Sequence, residues 1–231
     1  MTVWQRIITI YSNPRATFSS FEGSISLKDV TVPILILLVV SFGSQLFIQP
    51  MAFDEQISRI EQNQDISEEQ KEAALDRMES MIGNPISVKS FLLTTVVTLV
   101  GLAVLAGLVM FFGSFILAGE ATFQQALVIV VFVSMIGVLE SAVKIPLILQ
   151  SGTIQVETGM ALLLPVSLDG TLLYRFFHRL DFFAMWKMTL IAMGTAMVFR
   201  TSEKSARLAY FSAWVGLMFL LAWLLDSRLM A

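Results

Sequence analysis

The sequence predicts an all-α integral membrane protein: five transmembrane helices, an acidic helical hairpin between the first and second, and an interfacial N-terminal helix. Three observations carry this. Of the 231 residues, 56% are hydrophobic and only 14% are charged. The mean hydropathy of +0.76 is far above that of a soluble domain. Five stretches also approach the ~20 apolar residues needed to cross a hydrocarbon core of ~30 Å. The chain reads as one membrane domain, residues 1–231.

The same composition excludes several function classes. The net charge of −3 is small and no basic patch stands out, which argues against a nucleic-acid partner. With no cysteine, disulfide frameworks, thiolate metal sites and cysteine nucleophiles are ruled out.

Residues 1–29, which begin "MTVWQRIITIYSNPRATFSSFEG", form an amphipathic lead-in. Asn13 can cap a short helix with Pro14 at its first position. Trp4, Ile7, Ile8 and Tyr11 on one side, with Phe18 and Phe21 later, suit a segment lying in the inner interface. No small-residue cleavage site follows the first apolar run, so that run is expected to stay as an uncleaved anchor.

The spans are "VTVPILILLVVSFGSQLFIQ" (30–49), "FLLTTVVTLVGLAVLAGLVMFFGSFIL" (91–117), "ALVIVVFVSMIGVLESAVKIPLIL" (126–149), "FFAMWKMTLIAMGTAMVF" (182–199) and "LAYFSAWVGLMFLLAWLL" (208–225). Backbone polar groups in lipid must be satisfied within the segment, so these are helices. Three small-residue pairs four apart allow close helix approach: Ala103 and Gly107, Ala192 and Ala196, Ser212 and Gly216. No internal repeat is evident.

Between the first two spans, residues 52–84 predict the hairpin. "DEQISRIEQNQDISEEQKEAALDRMES" (54–80) carries nine acids against three bases. Phe53, Ile57 and Ile60 share one helical face, and Leu75, Met78 and Ile82 share another. Ser67 followed by Gln70 suits a capping box, and "GNP" (83–85) stops the second arm. Residues 150–181 are too short and interrupted to span. There Asp169 could cap "GTLLYRFFHRL", whose Leu172, Leu173, Phe176, Phe177 and Leu180 face away from Arg175 and Arg179.

Orientation follows from Lys and Arg placement. Arg6, Arg15, Lys28, Arg200, Lys204 and Arg207 are dense in short segments, and the compact "RTSEKSAR" loop is the best single witness. The N-terminus is therefore expected inside.

Reactive constellations are missing from the sequence. There is no HExxH pair, phosphate-binding GxxxxGK[ST] loop, GxGxxG or GxSxG, and His178 is the sole histidine. No EF-hand spacing appears in the acidic loop. The expectation is a protein that is not an enzyme and has no cofactor or metal. What stands out is charge inside a span. Counting 1.5 Å per residue from Ala126, Glu140 lies ~21 Å and Lys144 ~27 Å along the third helix. Their spacing of four, acid first, favours an ion pair. Lys187 lies ~9 Å below Asp181 on the fourth span. Glu140, Lys144, Asp181 and Lys187 are therefore the candidate site, a polar cluster in the outer third of the membrane. Such charges are costly in lipid and are read either as a paired structural layer or as a vestibule for an ion, headgroup or solute.

Four stretches in order resemble the Yip domain family, named for binding Ypt/Rab GTPases, in its bacterial branch. They are "NPRATFSSF", "AGEATFQQALVIVVFVSMIGVLESAVKIPLIL", "TGMALLLP" and "LDFFAMWKMTLIAMGTAMVFRTSEKSA". The acidic "ISEEQKEAALDRM" insert resembles loops of bacterial members. The resemblance implies five spans, a cytosolic N-terminus and no catalytic residues. Eukaryotic relatives act in Golgi and endoplasmic reticulum traffic, binding small GTPases and each other. This chain lacks their aspartate-leucine-tyrosine-glycine-proline stretch, so small GTPase binding is not carried over. The expected function is a non-enzymatic membrane organiser or adaptor in a bacterial inner membrane, with the bilayer, protein partners or further copies of itself as partners. The competing expectation is a small transporter or channel that uses the outer polar cluster.

Overall fold

The computed structural model describes the chain except residues 22–24, 64–65, 83–87, 121, 155, 157, 169–170 and 228–231. The described residues are helical apart from turns and one isolated bridge between Gly159 and Asp181. The helices are α1 (Val3–Ser12), α2 (Pro14–Ser19), α3 (Leu27–Gln62), α4 (Glu68–Ile82), α5 (Val88–Phe111), α6 (Phe123–Ser134), α7 (Ile136–Ser151), α8 (Leu172–His178), α9 (Phe182–Val198) and α10 (Glu203–Ser227). A π-helical turn, Phe112–Ile116, prolongs α5. Four helical stretches are long and apolar enough to cross a membrane: Leu27–Gln62, Val88–Ile116, Phe123–Ser151 and Glu203–Leu224. The remaining apolar helix, α9, is 17 residues long.

The chain divides into two compact units. The first comprises Met1–Leu35, Val100–Gly137 and Glu157–Ala231. At its centre α9 packs on α10, α2 and α6, and α1 packs on α2 and α6. The core holds Ile10, Phe18, Phe21, Ile129, Phe132, Leu190 and Phe199, all nearly inaccessible. Close approach is possible because Gly194 has no side chain. A Cβ there would lie 2.9 Å from both Ile129 Cγ2 and Phe18 Cε1. Gly113 in the π turn does the same for the Phe199 ring, which lies where its Cβ would be.

The N-terminal helices also contribute to this core. Asn13 caps α2, accepting from the Ala16 N–H at 3.2 Å, with Pro14 at the first position. The expected apolar side of α1 divides: Ile7 is buried together with Arg6 and Ile10, whereas Trp4 and Ile8 are exposed. Phe18 and Phe21 are core residues, and Phe21 meets Phe132 edge-on at 5.0 Å.

Unit two comprises Ile36–Leu99 and Val138–Val156. Here the expected boundary between the span 30–49 and the hairpin 52–84 is not a helix end. The helix continues through Pro50 to Gln62. A proline inside an apolar helix removes one hydrogen bond without ending the helix when the neighbouring structure compensates. The Glu55–Arg59 pair at 2.8 Å, with its spacing of four, supports the distal turns. The second arm starts as expected. Ser67 N–H donates to Gln70 Oε1 at 3.1 Å and Gln70 N–H to Ser67 Oγ at 3.3 Å, a reciprocal cap on α4. "GNP" lies outside the described residues. Elsewhere in this unit Thr94 Oγ1 donates to Gln45 Oε1 at 2.8 Å, and Phe42 meets Phe91 edge-on at 5.4 Å.

One further expectation is corrected. The cap of α8 is Thr171, whose hydroxyl accepts from Tyr174 N–H at 3.2 Å; Asp169 lies outside the described residues. Of the three small-residue pairs, Ala192 and Ala196 are buried, while Ala103, Ser212 and Gly216 are exposed.

Candidate functional site

The polar end of the first unit gathers groups that the sequence separates widely. Its anchor is the pair Arg6–Asp29, at 2.5 Å. Arg6 is 8% exposed and Asp29 2%, so the charges are withdrawn from water and need several partners. Both have them. Arg6 Nε donates to Ser20 Oγ at 2.9 Å and Nη2 to the Ser20 carbonyl at 3.0 Å, and the guanidinium lies 4.6 Å from the centre of the Phe21 ring. Asp29 Oδ2 accepts from Ser26 N–H at 2.9 Å and Ser26 Oγ at 2.8 Å, which caps the start of α3. The pair therefore ties α1, the turn after α2 and the first turn of α3 together.

Beside it, Gln124 Nε2 donates to the Ile25 carbonyl at 3.4 Å, bringing in the first turn of α6 and the loop ahead of it. That helix opens with a capping box: Thr122 N–H donates to Gln125 Oε1 at 2.9 Å and Gln125 N–H to Thr122 Oγ1 at 3.3 Å. Across from this loop lies the turn after α9. Ala118, Gly119, Glu120 and Gln125 on one side and Val198, Phe199 and Arg200 on the other enclose a cavity of about 440 Å³. Ala118 at φ 51° and Arg200 at φ 55° are the described non-glycine residues in the left-handed region, and both line it. Such backbone costs of order 1–3 kcal/mol per residue, so the packing of both turns holds them there. On the same side, Arg15 Nη2 meets Glu203 Oε2 at 2.6 Å, and Arg207 also pairs with Glu203. This joins α2 to the start of α10.

The base under this end is stiffened by a buried polar thread. Thr195 Oγ1 donates to Tyr210 Oη at 3.1 Å, and Tyr210 Oη donates to the Val109 carbonyl at 3.1 Å, in the turn just before the π-helical register. Tyr210 also stacks on Phe112 at 5.2 Å. Tyr11 Oη donates to the Met135 carbonyl at 2.6 Å, where the helix is interrupted between α6 and α7. Burial pushes the Tyr11 phenol above its ordinary value, so it stays a donor.

Of the four residues predicted as a polar cluster, two belong to each unit. Glu140 and Lys144 belong to the second unit and form an ion pair on α7, Lys144 Nζ to Glu140 Oε1 at 2.6 Å, each side chain partly buried. Asp181 and Lys187 belong to the first. Asp181 is the cap of α9: its Oδ1 accepts from Phe183 N–H at 2.7 Å and Ala184 N–H at 3.2 Å, while Oδ2 accepts from Thr158 Oγ1. Lys187 stands six residues into the same helix. Sequence reading misses Arg6, Asp29, Tyr11 and Tyr210 as structural polar centres. The Ser26–Asp29 spacing of three is the one available signal.

This side-chain set offers ion pairs, helix caps and hydrogen-bonded turns. Among the described residues no group of three His, Cys, Asp or Glu side chains could hold a metal ion. An all-helical chain with four helices of spanning length and apolarity is a multi-pass integral membrane protein. The model of the Yip1 domain matches residues 8–225, and the chain belongs to the Yip1 domain family. No curated protein and no solved structure matches it.

Proposed function

We propose that this chain is a non-enzymatic membrane organiser or adaptor that works through its polar end. On this reading it has five spans, with α9 as the fourth. Seventeen residues at 1.5 Å each give ~25 Å, near the lower limit for a crossing. The N-terminus lies in the cytoplasm of a bacterial cell whose inner membrane holds the protein. The observation that carries the reading is the braced pair of turns around Glu120 and Arg200. They are exposed and opposite in charge, and the backbone beneath them is held in a costly conformation. A surface so fixed suits recognition of another protein or a second copy, because little ordering remains to be done on binding. The decisive experiment is affinity purification from native membranes, identifying co-purifying proteins and lipids for the wild type and for the E120K/R200E reversal. Loss of specific partners in the reversal, with retained folding, supports the reading. An unchanged set rejects it.

The competing reading is a small transporter or channel in which Glu140, Lys144, Asp181 and Lys187 form one outer polar layer. The partly buried Glu140–Lys144 pair is the observation in its favour, since charge in a span marks a pathway by default. Flux measured in vesicles should then fall on neutralising Glu140 and Lys144 together. Unchanged flux would remove this reading.

A further inference from the structure

We propose that the cavity against the Arg6–Asp29 pair binds the headgroup of an anionic glycerophospholipid. The cavity has a volume of about 530 Å³, and Trp4, Arg6, Ser26, Lys28, Asp29 and Val32 are among its lining residues. That is within the usual range of small-ligand sites, roughly 300–1,000 Å³.

Its floor is built. Arg6 and Asp29 are both more than nine-tenths buried, and Ser20 and the Phe21 ring hold the guanidinium so that it cannot swing out to water. Asp29 and Ser20 engage three of its N–H groups, and a guanidinium carries five. Asp29 cancels the charge of Arg6. Among the lining side chains that leaves the charge of Lys28, which is exposed and makes no ion pair among the described residues, and Met1 with its amino group lines the cavity as well. Uncompensated cationic groups beside a planar donor suit a phosphodiester whose headgroup carries no balancing cation.

Either a membrane lipid or a free phosphate could supply that chemistry. The surroundings favour the lipid. Trp4, which lines the cavity, is 59% exposed, and Ile8 at 69% and Leu27 at 77% are exposed elsewhere on the same two helices. An inorganic ion makes no use of these apolar side chains, whereas the glycerol and upper acyl carbons of a lipid can cover them. An exposed tryptophan next to cationic side chains at the start of an apolar helix is also the composition of a headgroup-level belt.

The test titrates detergent-solubilised protein, by calorimetry, with dihexanoyl phosphatidylglycerol, dihexanoyl phosphatidylcholine and inorganic phosphate. Saturable binding is expected, with the glycerol lipid about five-fold tighter than the choline lipid, the value of one lysine near an anionic headgroup. Inorganic phosphate should bind at least about ten-fold more weakly than either. Lys28→Ala should reduce the preference between the lipids, Lys28→Arg should keep it, and Lys89→Ala, at another exposed lysine, should leave it unchanged. Thermal unfolding of each variant reports that it is folded. Equal affinity of the wild type for the two lipids, or a preference that Lys28→Ala leaves undiminished, overturns the proposal. Inorganic phosphate binding as tightly as the lipid overturns it too and assigns the cavity to a free anion.

Discussion

Removing Asp29 is the most informative single change to the fold, because it leaves the largest buried charge without its partner. In Asp29→Ala, Arg6 keeps two hydrogen bonds to Ser20 and its place over Phe21 but loses the carboxylate at 2.5 Å. Breaking one side of a buried pair typically costs ~3–5 kcal/mol, and the surviving partners of Arg6 put the expected loss near the lower end, ~3 kcal/mol. Loss of the Ser26 cap on α3 adds ~1 kcal/mol. Arg6→Met should cost a similar ~3 kcal/mol by leaving Asp29 with only Ser26. The double variant Arg6→Met/Asp29→Leu removes both charges from an apolar setting, so it should lose little beyond the cap, ~1 kcal/mol. The coupling between the two sites is then several kcal/mol and favourable, far above the ~0.5 kcal/mol scatter of independent sites. Equilibrium unfolding in a mild detergent, followed by circular dichroism, measures all four corners of the cycle. Single variants that each lose less than ~1 kcal/mol, or a double variant that loses the sum of the singles, would refute the view that this pair clamps the N-terminal helices to α3.

Two other changes separate close contacts from open ones by the same unfolding assay. Gly194→Ala inserts a methyl 2.9 Å from Ile129 and Phe18 and should cost ~1–3 kcal/mol, whereas Gly216→Ala meets nothing within 4 Å and should be neutral or stabilising by up to ~1 kcal/mol. Tyr210→Phe removes both the donor to the Val109 carbonyl and the acceptor for Thr195; it should cost ~1–2 kcal/mol, and Thr195→Val added to it should cost little more.

Local features with a short reach are legible from the residues alone. Asn13–Pro14 and Ser67–Gln70 each define a helix start through groups no more than three positions apart, and both starts are observed. The limits lie in longer-range partners. Arg6 looks like one more inner-face cation until Asp29, in a different helix, is seen against it. The pairs four apart likewise describe only one helix. Ala192 and Ala196 are buried because neighbouring helices pack around α9, while Ser212 and Gly216 are exposed on α10. Gly194, the residue that permits the approach, sits between the two alanines and matches no spacing rule with either. The end of the apolar run at Gln49 misleads for the opposite reason. A local change of composition suggests an element boundary, and the helix runs on through Pro50.

These contrasts bear on where recognition resides. Leu208, Leu217, Phe219, Leu220 and Trp223 are exposed on α10, and Val104 and Leu108 on α5. Lipid tails are as apolar as these side chains, so a Leu- and Phe-rich face gives little preference for a neighbouring helix over lipid. Selectivity needs directional groups whose positions are fixed. In the first unit one end carries a set of them, where Glu120, Arg200, Arg15, Glu203 and Lys28 stand on turns and helix starts. If recognition instead lay in the apolar faces, E120K/R200E would leave every partner in place while small-to-large changes on α10, such as Gly216→Leu, would remove them. The polar-end reading requires the reverse pattern, and the two sets of variants, purified side by side from the same membranes, distinguish them.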